Sequence, residues 1–296
     1  MALTKVEAAK LTNDLLLRGV IDTVVKESSV LQLLPFMEVN GTAVTYNREA
    51  TMPAASFYDV GDTWTEATPT FTQVTANLKI LGGDADVDNF LQSTYTDPSD
   101  LEAEVIAKRA KSVAHLFSDG FYNGDSGVNA KSFDGLTKAL NGGSQEILAG
   151  ANGAQLSVEM VDQVIDLITP GRPDALLCSK RTRRKLSGLR RASGNLLETT
   201  VDAFGRHVTM YDGIPLLVDD FISDTQVQGT SGSICSSVYA VKFGMDGVMG
   251  LEHGGIQIED VGELETKDAT RWRVKWYSGL AIFSALGVAR IKGILP

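Results

Sequence analysis

The sequence predicts an α+β fold in which helical and strand-forming segments occupy separate stretches of the chain. Helical spacing of apolar residues covers residues 3–34 and ends at Pro35. Apolar and polar residues then alternate from Gln73 to Ile80, which is typical of a strand with one buried face. Beyond Gly150, short helix and strand patterns alternate as in an α/β layer. The 296 residues, 43% of them hydrophobic, suffice for one large domain or two modest ones.

The N-terminal segment carries an apolar stripe that includes Leu16, Val20 and Val24. Gly19 and the Ser28-Ser29 pair interrupt it, which favours two or three short helices over one long helix. A chain terminus is normally ordered only when it is docked on something. We therefore expect residues 1–34 to pack on a neighbouring subunit.

A β-hairpin is predicted between Gly41 and about Leu81, with Val44 and Tyr46 on its first strand. Its tip, residues 53–69, contains few large apolar residues apart from Phe57, Tyr58 and Trp64. Because an isolated two-stranded ribbon is marginally stable in water, this hairpin must rest on another surface. The three aromatic residues are candidate contacts with a neighbouring subunit.

A long helix is predicted from Asp97 to about Asp119. Asp97 is a favourable N-cap, and Pro98 occupies the first helical position. The apolar stripe of this helix contains Ile106, Ala110, Val113 and Phe117.

The remaining elements follow from apolar runs between turn residues. A helix begins near Ser157, a turn covers residues 170–173, and a basic helix covers residues 180–191. The predicted strands are Ala175–Cys178, Ile214–Val218, Ser237–Phe243, Gly255–Asp260, Arg271–Tyr277 and Ala281–Ile291.

The basic helix is the strongest electrostatic feature of the sequence, with 7 basic residues in 12. Arg183, Arg184, Arg190 and Arg191 are its candidate contact residues. Such a helix could contact nucleic acid, bind an acidic surface of a neighbouring copy, or simply be solvated. We favour the second interpretation because the chain carries a net charge of −10.

No catalytic residue, cofactor site or metal site is predicted. The Gly124–Gly127 segment (GDSG) resembles a serine-protease nucleophile turn, but the one upstream histidine, His115, lies on the predicted long helix. We interpret the segment as a glycine-rich turn. The histidines lack metal-ligand spacing, and no phosphate-binding glycine motif occurs.

Three carboxylates, Asp84, Asp86 and Asp88, alternate along a predicted strand. They resemble the start of a calcium loop, but Asn89 and Tyr95 stand where that loop needs Gly and Glu. A solvated edge or pairing with basic side chains nearby is the favoured interpretation.

Two cysteines, Cys178 and Cys235, are far apart in the sequence, and we expect two reduced thiols. No secretion signal or membrane-spanning run is visible, so we expect a soluble intracellular product without membrane contact.

Taken in order, these segments resemble the major capsid proteins of tailed bacteriophages, the Hong Kong 97-like fold that encapsulins share. Residues 20–41 resemble the N-terminal arm of that family, and residues 41–81 its extended loop. The helix from Asp97 to Asp119 resembles the spine helix of the peripheral domain. Residues 173–178, the basic helix and residues 204–218 resemble the axial domain.

The resemblance implies a domain map. It consists of an N-terminal arm (1–40), an extended β-hairpin loop (41–90), a peripheral domain with the spine helix (91–145), an α/β axial domain (146–244) and a second peripheral segment (245–296).

The resemblance also implies a function without catalysis or cofactors. The protein would self-assemble as hexamers and pentamers into an icosahedral head, enclosing double-stranded DNA with weak non-specific contact. Assembly would occur in the host cytoplasm, with a portal and with a separate scaffolding protein or none, because only a short arm precedes the extended loop. The alternative is an encapsulin-type nanocompartment shell.

Overall fold

The computed structural model describes residues 28–94, 101–194, 198–201 and 207–296. Its helices are α1 (Val30–Leu33), α2 (Asn89–Thr94), α3 (Leu101–Asn123), α4 (Leu136–Leu140), α5 (Val158–Asp166) and α6 (Lys180–Ala192). Its strands are β1 (Phe36–Glu38), β2 (Ala43–Thr51), β3 (Thr70–Asn77), β4 (Lys79–Asp88), β5 (Glu146–Leu148), β6 (Ala175–Cys178), β7 (Glu198–Val201), β8 (His207–Tyr211), β9 (Ile214–Val218), β10 (Gln226–Val227), β11 (Ser233–Val241), β12 (Val248–Glu263), β13 (Ala269–Ile282) and β14 (Val288–Ile294).

The first sheet has four strands in the order β1-β12-β13-β4, and β13 runs antiparallel to both of its neighbours. Val274 and Trp276 are buried on one face of β13, as the alternation predicts. On the neighbouring strand, Gly250 lets the ring of Phe36 lie against the backbone. A Cβ at this position would stand 2.5 Å from that ring, so a larger residue cannot be accommodated without displacing Phe36.

The other face of this sheet carries cross-strand ion pairs. Arg271 lies opposite Asp86 and donates two hydrogen bonds to it, of 2.6 and 2.8 Å. Arg273 lies opposite Asp84 and also donates two hydrogen bonds to it, of 2.8 and 3.2 Å. Two of the three alternating carboxylates therefore neutralise basic side chains of the next strand, which confirms one of the two favoured interpretations for Asp84 and Asp86. Asp88 instead accepts hydrogen bonds from the N–H groups of Phe90 and Leu91.

The predicted hairpin forms from β2 and β3, which pair from Ala43↔Asn77 to Thr51↔Thr70. Only Leu78 separates β3 from β4, and its N–H donates to the carbonyl of Thr42 at 2.9 Å. The chain thus passes directly from the hairpin into the four-stranded sheet. Of the segment 41–90, residues 79–88 pair with β13 rather than with β2.

The second sheet has eight strands. Seven follow the order β5-β14-β11-β6-β9-β8-β7, and β10 pairs with β11 outside that path. Its helices α5 and α6 begin at serine caps. Ser157 accepts a hydrogen bond from the N–H of Met160, and Ser179 accepts one from Thr182. Both helices bury apolar residues against one face of this sheet.

The last predicted strand, Ala281–Ile291, is wrong as a single element. A 3-10 turn at Ala285–Gly287 divides it, and the two halves join different sheets. Gly287 makes this turn possible, since a Cβ there would lie 2.5 Å from the carbonyl oxygen of Asp246. Strand β14 consequently pairs with β5 and β11, so the end of the segment 245–296 lies in the same sheet as the segment 146–244.

Helix α3 packs on β4 and β13 of the four-stranded sheet, and its C-terminal end contacts the eight-stranded sheet through Tyr122 and Tyr239. It confirms the predicted long helix. Residues 97–100, with the predicted cap, lie outside the described ranges. The helix continues past the predicted end at Asp119 because Phe121 and Tyr122 are fully buried. The ring of Phe133 packs directly against Gly120 of this helix. A Cβ at Gly120 would lie 2.9 Å from that ring, so glycine leaves the space that Phe133 occupies.

We predict that Asp86 makes the free subunit sensitive to acid. Hydrogen bonds from Arg271 lower the pKa of the Asp86 carboxyl from 3.8 to about 2. Because the pKa is lower in the folded state, the stabilisation is complete above the ordinary pKa. It is lost as the pH falls from about 4 towards 2. Between pH 4 and pH 2, the unfolding free energy of the Asp86→Asn variant should fall by about 1–2 kcal/mol less than that of the parent chain. Urea titrations at several pH values in this range measure the difference.

The control for this measurement is Glu66→Gln, an exposed carboxyl on the hairpin tip. It should retain the acid sensitivity of the parent chain. Identical pH profiles for the parent and Asp86→Asn would contradict the assignment to Asp86.

Candidate assembly surfaces

The base of the hairpin is held firmly by the four-stranded sheet. The hydroxyl of Tyr46 donates to the carbonyl of Ile282 at 2.7 Å, and Arg48 Nε donates to that of Phe283 at 3.1 Å. The rings of Tyr46 and Phe283 lie 4.7 Å apart. Val44 and Ala76 pack beside them in a small apolar cluster. The hairpin is therefore fixed at its root.

The tip of the hairpin, residues 53–69, is exposed together with Met52, except that Tyr58 is half-buried. Phe57 is fully exposed, and Trp64 retains 78% exposure although Tyr58 stacks on it at 4.4 Å. The Tyr58 hydroxyl also lies 2.9 Å from the hydroxyl of Thr65, within the tip. Met52 and Val60 add further exposed apolar surface. Clustered exposed apolar side chains of this kind mark interaction surfaces.

Phe57, Tyr58 and Trp64 are three of the predicted contact residues, and all three lie together on this tip. Within the described ranges, their recorded ring contacts and side-chain hydrogen bonds are with other tip residues. Their binding to a neighbouring subunit stays a prediction. The predicted contacts Leu16, Val20 and Val24 lie outside the described residues.

The first turn of the basic helix α6 is neutralised within the chain. Lys180 pairs with Asp220 at 2.9 Å, and Arg181 pairs with Asp224 at 3.5 Å. Arg181 also donates to the carbonyl of Ile234. These contacts follow strand β9, where the sequence Val218-Asp219-Asp220 brings acidic residues beside the start of α6.

Arg190 is anchored near the end of α6. Its guanidinium group lies over the ring of Tyr211, 4.5 Å from the centroid, in a favourable cation–π geometry. The Tyr211 hydroxyl donates in turn to Asp162 on α5. Burial, together with this carboxylate, raises the pKa of Tyr211. Arg190 therefore has a contact inside its own subunit, which the sequence did not reveal.

Arg183, Arg184 and Arg191 are the exposed basic residues that this helix presents outward. Among the described residues, Arg191 Nε donates to the Ser187 carbonyl of its own helix alone, at 3.4 Å. For Arg183 and Arg184, the described residues provide no side-chain hydrogen bond or ion pair. Leu186, on the opposite side, is buried, as the helical spacing predicts. These three arginines are charged groups without an acidic partner in the described part of the subunit.

The protease-like segment is a structural turn. Lys138 Nζ donates to the Ser126 hydroxyl at 3.0 Å and pairs with Asp125 and Asp134. His115 packs its ring against Phe221, 5.4 Å away. Ser126 is thus hydrogen-bonded to a lysine ammonium, which cannot accept its proton. The turn interpretation of the sequence is confirmed.

Among the described residues, no group of three or more His, Cys, Asp or Glu side chains is arranged to hold a metal ion. Cys178 and Cys235 are both unpaired and buried, as expected, and burial raises the pKa of the Cys178 thiol to about 12. In the part of the chain that the structure describes, every helix is too short or too polar to cross a bilayer.

A buried carboxylate that the sequence analysis missed fixes the start of the described chain. Asp219 is fully buried and accepts hydrogen bonds from the Ser28 hydroxyl and the Ser29 N–H, at 2.8 and 3.1 Å. It also accepts one from the N–H of Phe221 at 3.0 Å. Burial raises the pKa of this carboxyl despite these bonds. A contact across 190 residues leaves no periodic signal in the sequence.

Comparisons with known proteins identify the family. The model of the phage capsid family matches residues 11–293, and the chain belongs to this family. It is therefore a capsid shell protein, which is a structural protein rather than an enzyme. Among curated proteins, no sequence matches the chain.

Solved structures confirm the predicted Hong Kong 97-like fold. The SrpI encapsulin of Synechococcus elongatus PCC 7942 matches with a TM-score of 0.71 at 15% identity, covering 100% of this chain and 97% of the encapsulin chain. The capsid of an empty GTA particle gives 0.69 at 16% identity, with 98% of each chain covered. A structure from Microbacterium phage Oxtober96 gives 0.68 at 14% identity, covering 97% of this chain and 98% of the phage chain.

We predict that the tip contributes nothing to the stability of the free subunit. Replacing residues 52–69 by Asn-Gly joins Thr51 to Thr70, which are already paired, through a favourable hairpin turn. Far-UV circular dichroism and the urea midpoint should stay unchanged, because the tip's stacking and side-chain hydrogen bonds are internal. A large loss of stability would instead place the tip in the core of the subunit.

Proposed function

We propose that this protein is the major capsid protein of a tailed phage, which assembles with its own copies into the icosahedral head shell around double-stranded DNA. The observation that carries the proposal is the family match over residues 11–293. The exposed aromatic tip supports it, because a hairpin fixed at its root and apolar at its end is suited to bind a neighbouring copy.

The domain map belongs to the same proposal. The hairpin formed by β2 and β3 would serve as the extended loop of the segment 41–90, while β4, which pairs with β13, would join the peripheral domain. Helix α3 would be the spine of that domain (91–145 and 245–296). The eight-stranded sheet with α5 and α6 would form the axial domain (146–244), to which we add β14 because of its pairing with β11.

The net negative charge of the chain is consistent with a shell that encloses DNA without binding it tightly. A net charge of −10 limits attraction to a polyanion, so packaged DNA would meet the shell through weak, non-specific contacts. The subunits would form hexamers and pentamers in the host cytoplasm, joined by a portal and guided by a separate scaffolding protein or by none.

An encapsulin-type shell is the second candidate. The similarity to the SrpI encapsulin, at a TM-score of 0.71, favours it to the same degree as the other structural similarities favour a phage head. Such a shell would enclose protein cargo instead of DNA.

The purified subunit should form capsomers or closed shells in negative-stain microscopy. A chain that occurs only as a monomer, both when purified and in extracts of the producing culture where any scaffolding protein is present, would contradict a shell function. Particles isolated from the producing culture with an antibody against this chain should then separate the two candidates. Nuclease-protected double-stranded DNA is expected for a phage head, whereas a DNA-free interior filled with a second protein would contradict it.

The aromatic tip should be required for shell closure. The Phe57→Ser/Trp64→Ser variant removes two large aromatic side chains from the tip, and each such side chain contributes roughly 1.5–3 kcal/mol when buried. We expect folded subunits but no closed particles in sedimentation and microscopy. The matched control Ala54→Ser/Ala55→Ser alters the same exposed tip and keeps its aromatic residues, so it should assemble normally. Normal shells from the first variant would exclude the tip as an essential contact.

A further inference from the structure

Helix α5 carries an acidic stripe that is exposed along its length. Glu159, Asp162 and Asp166 are spaced three and four residues apart and lie on one side of the helix. Val161 and Val164, on the other side, are buried against the eight-stranded sheet. We call these three carboxylates the acidic stripe.

Helix α6 carries the opposite charge on the same face of that sheet. Arg183, Arg184 and Arg191 point outward, and we call them the basic stripe. Helix α5 packs over β14 and β11, and α6 packs over β11 and β9, so the two helices are neighbours in one layer. A single outer surface of the subunit therefore presents both charges side by side.

The two stripes do not neutralise each other within the subunit. Among the described residues, no ion pair joins α5 to α6. Tyr211 lies between the helices, with the guanidinium of Arg190 over its ring and its hydroxyl on Asp162. This arrangement uses Arg190 and Asp162 internally. It leaves the carboxylates of Glu159 and Asp166 without a basic partner in the described ranges.

We propose that the basic stripe of one subunit binds the acidic stripe of a second copy of this chain. The inference rests on the proposed shell function and names the partner of helix α6. Copies that each carry a charge of −10 repel one another. Pairing of opposite stripes offsets that repulsion at the contact and sets the orientation of the two copies, since complementary charge governs partner choice more than raw affinity.

Nucleic acid is a poorer partner for this surface. A DNA backbone laid along the basic stripe would bring its phosphates beside the acidic stripe on the adjacent helix. Like charges placed together lower the affinity for a polyanion. A protein surface with both signs of charge fits this layer better.

The test is a charge exchange between the two helices. We expect Arg183→Glu/Arg184→Glu to lower the yield of assembled protein about tenfold, and Glu159→Lys/Asp166→Lys to do the same. Asp162 is left unchanged because Tyr211 donates to it. The quadruple variant restores opposite charges across the contact, so sedimentation and microscopy should show assembly close to that of the parent chain.

A matched control separates pairing from net charge. Arg183→Glu/Arg184→Glu moves the net charge from −10 to −14, since each reversal changes it by two. Adding Glu263→Lys and Glu265→Lys returns it to −10 through exposed residues at the far end of β12 and the turn that follows. This control should not restore assembly. Circular dichroism should show that every variant is folded.

Three results would overturn the proposal. They are normal assembly of the Arg183→Glu/Arg184→Glu variant, no rescue by the quadruple variant, or equal rescue by the control. Normal assembly together with weakened binding to a double-stranded DNA fragment would assign the basic stripe to nucleic acid. A parent chain that assembles neither alone nor in extracts of the producing culture would instead contradict the shell function itself.

Discussion

Three buried aromatic side chains of α3 hold the two sheets in one body. Phe117 lies 4.8 Å from Trp276 in the four-stranded sheet, whereas Tyr122 lies 5.5 Å from Tyr239 in the eight-stranded sheet. Phe121 fills the space beside Tyr122. Aromatic rings bury more apolar area than any other side chains, and loss of one from a core typically costs about 3–5 kcal/mol. The hairpin on the four-stranded sheet and the charged helices on the eight-stranded sheet are thus connected through these aromatic contacts of α3.

A second internal constraint acts within the larger sheet. Arg290 of β14 is almost fully buried and pairs with Glu146 at 3.3 Å. It also donates to Ser237 of β11 and to Gln226 of β10. Removing either member of a buried ion pair typically costs about 3–5 kcal/mol, because the other charge is left uncompensated. This buried cluster joins β14, β11, β10 and β5 through side-chain contacts as well as through the hydrogen bonds of the sheet.

The sequence predicted the local elements well and the long-range contacts poorly. Helix α3 and the basic helix have strong periodicity and turn or cap signals, so their existence was evident from the chain alone. The boundary between β3 and β4 at Leu78 was not evident from the sequence. Apolar and polar residues alternate without interruption from β3 into β4, although β3 pairs with β2 and β4 pairs with β13. Asp219 bonds to residues 190 positions away, and single-sequence periodicity contains no information on such a contact.

The same limit applies to the candidate surfaces. Composition indicated a basic helix and an aromatic tip, but it could not distinguish Arg190, which packs on Tyr211, from Arg183 and Arg184, which face outward. Nor did it indicate that α5 and α6 are neighbours on one sheet. Those distinctions depend on tertiary packing, which decides which charges of a helix are already paired.

The direct passage from β3 into β4 has a mechanical consequence. Because only Leu78 separates the two strands, a pull on the hairpin tip is transmitted along a nearly continuous strand into the four-stranded sheet. There it loads the residue pairs from Lys79↔Ser278 to Asp88↔Ala269 lengthwise, so that many hydrogen bonds share the force at once. Tension applied at the tip would in this way be spread over β13 and over α3, which packs on it, and the hairpin would act as a tether rather than as a flexible loop.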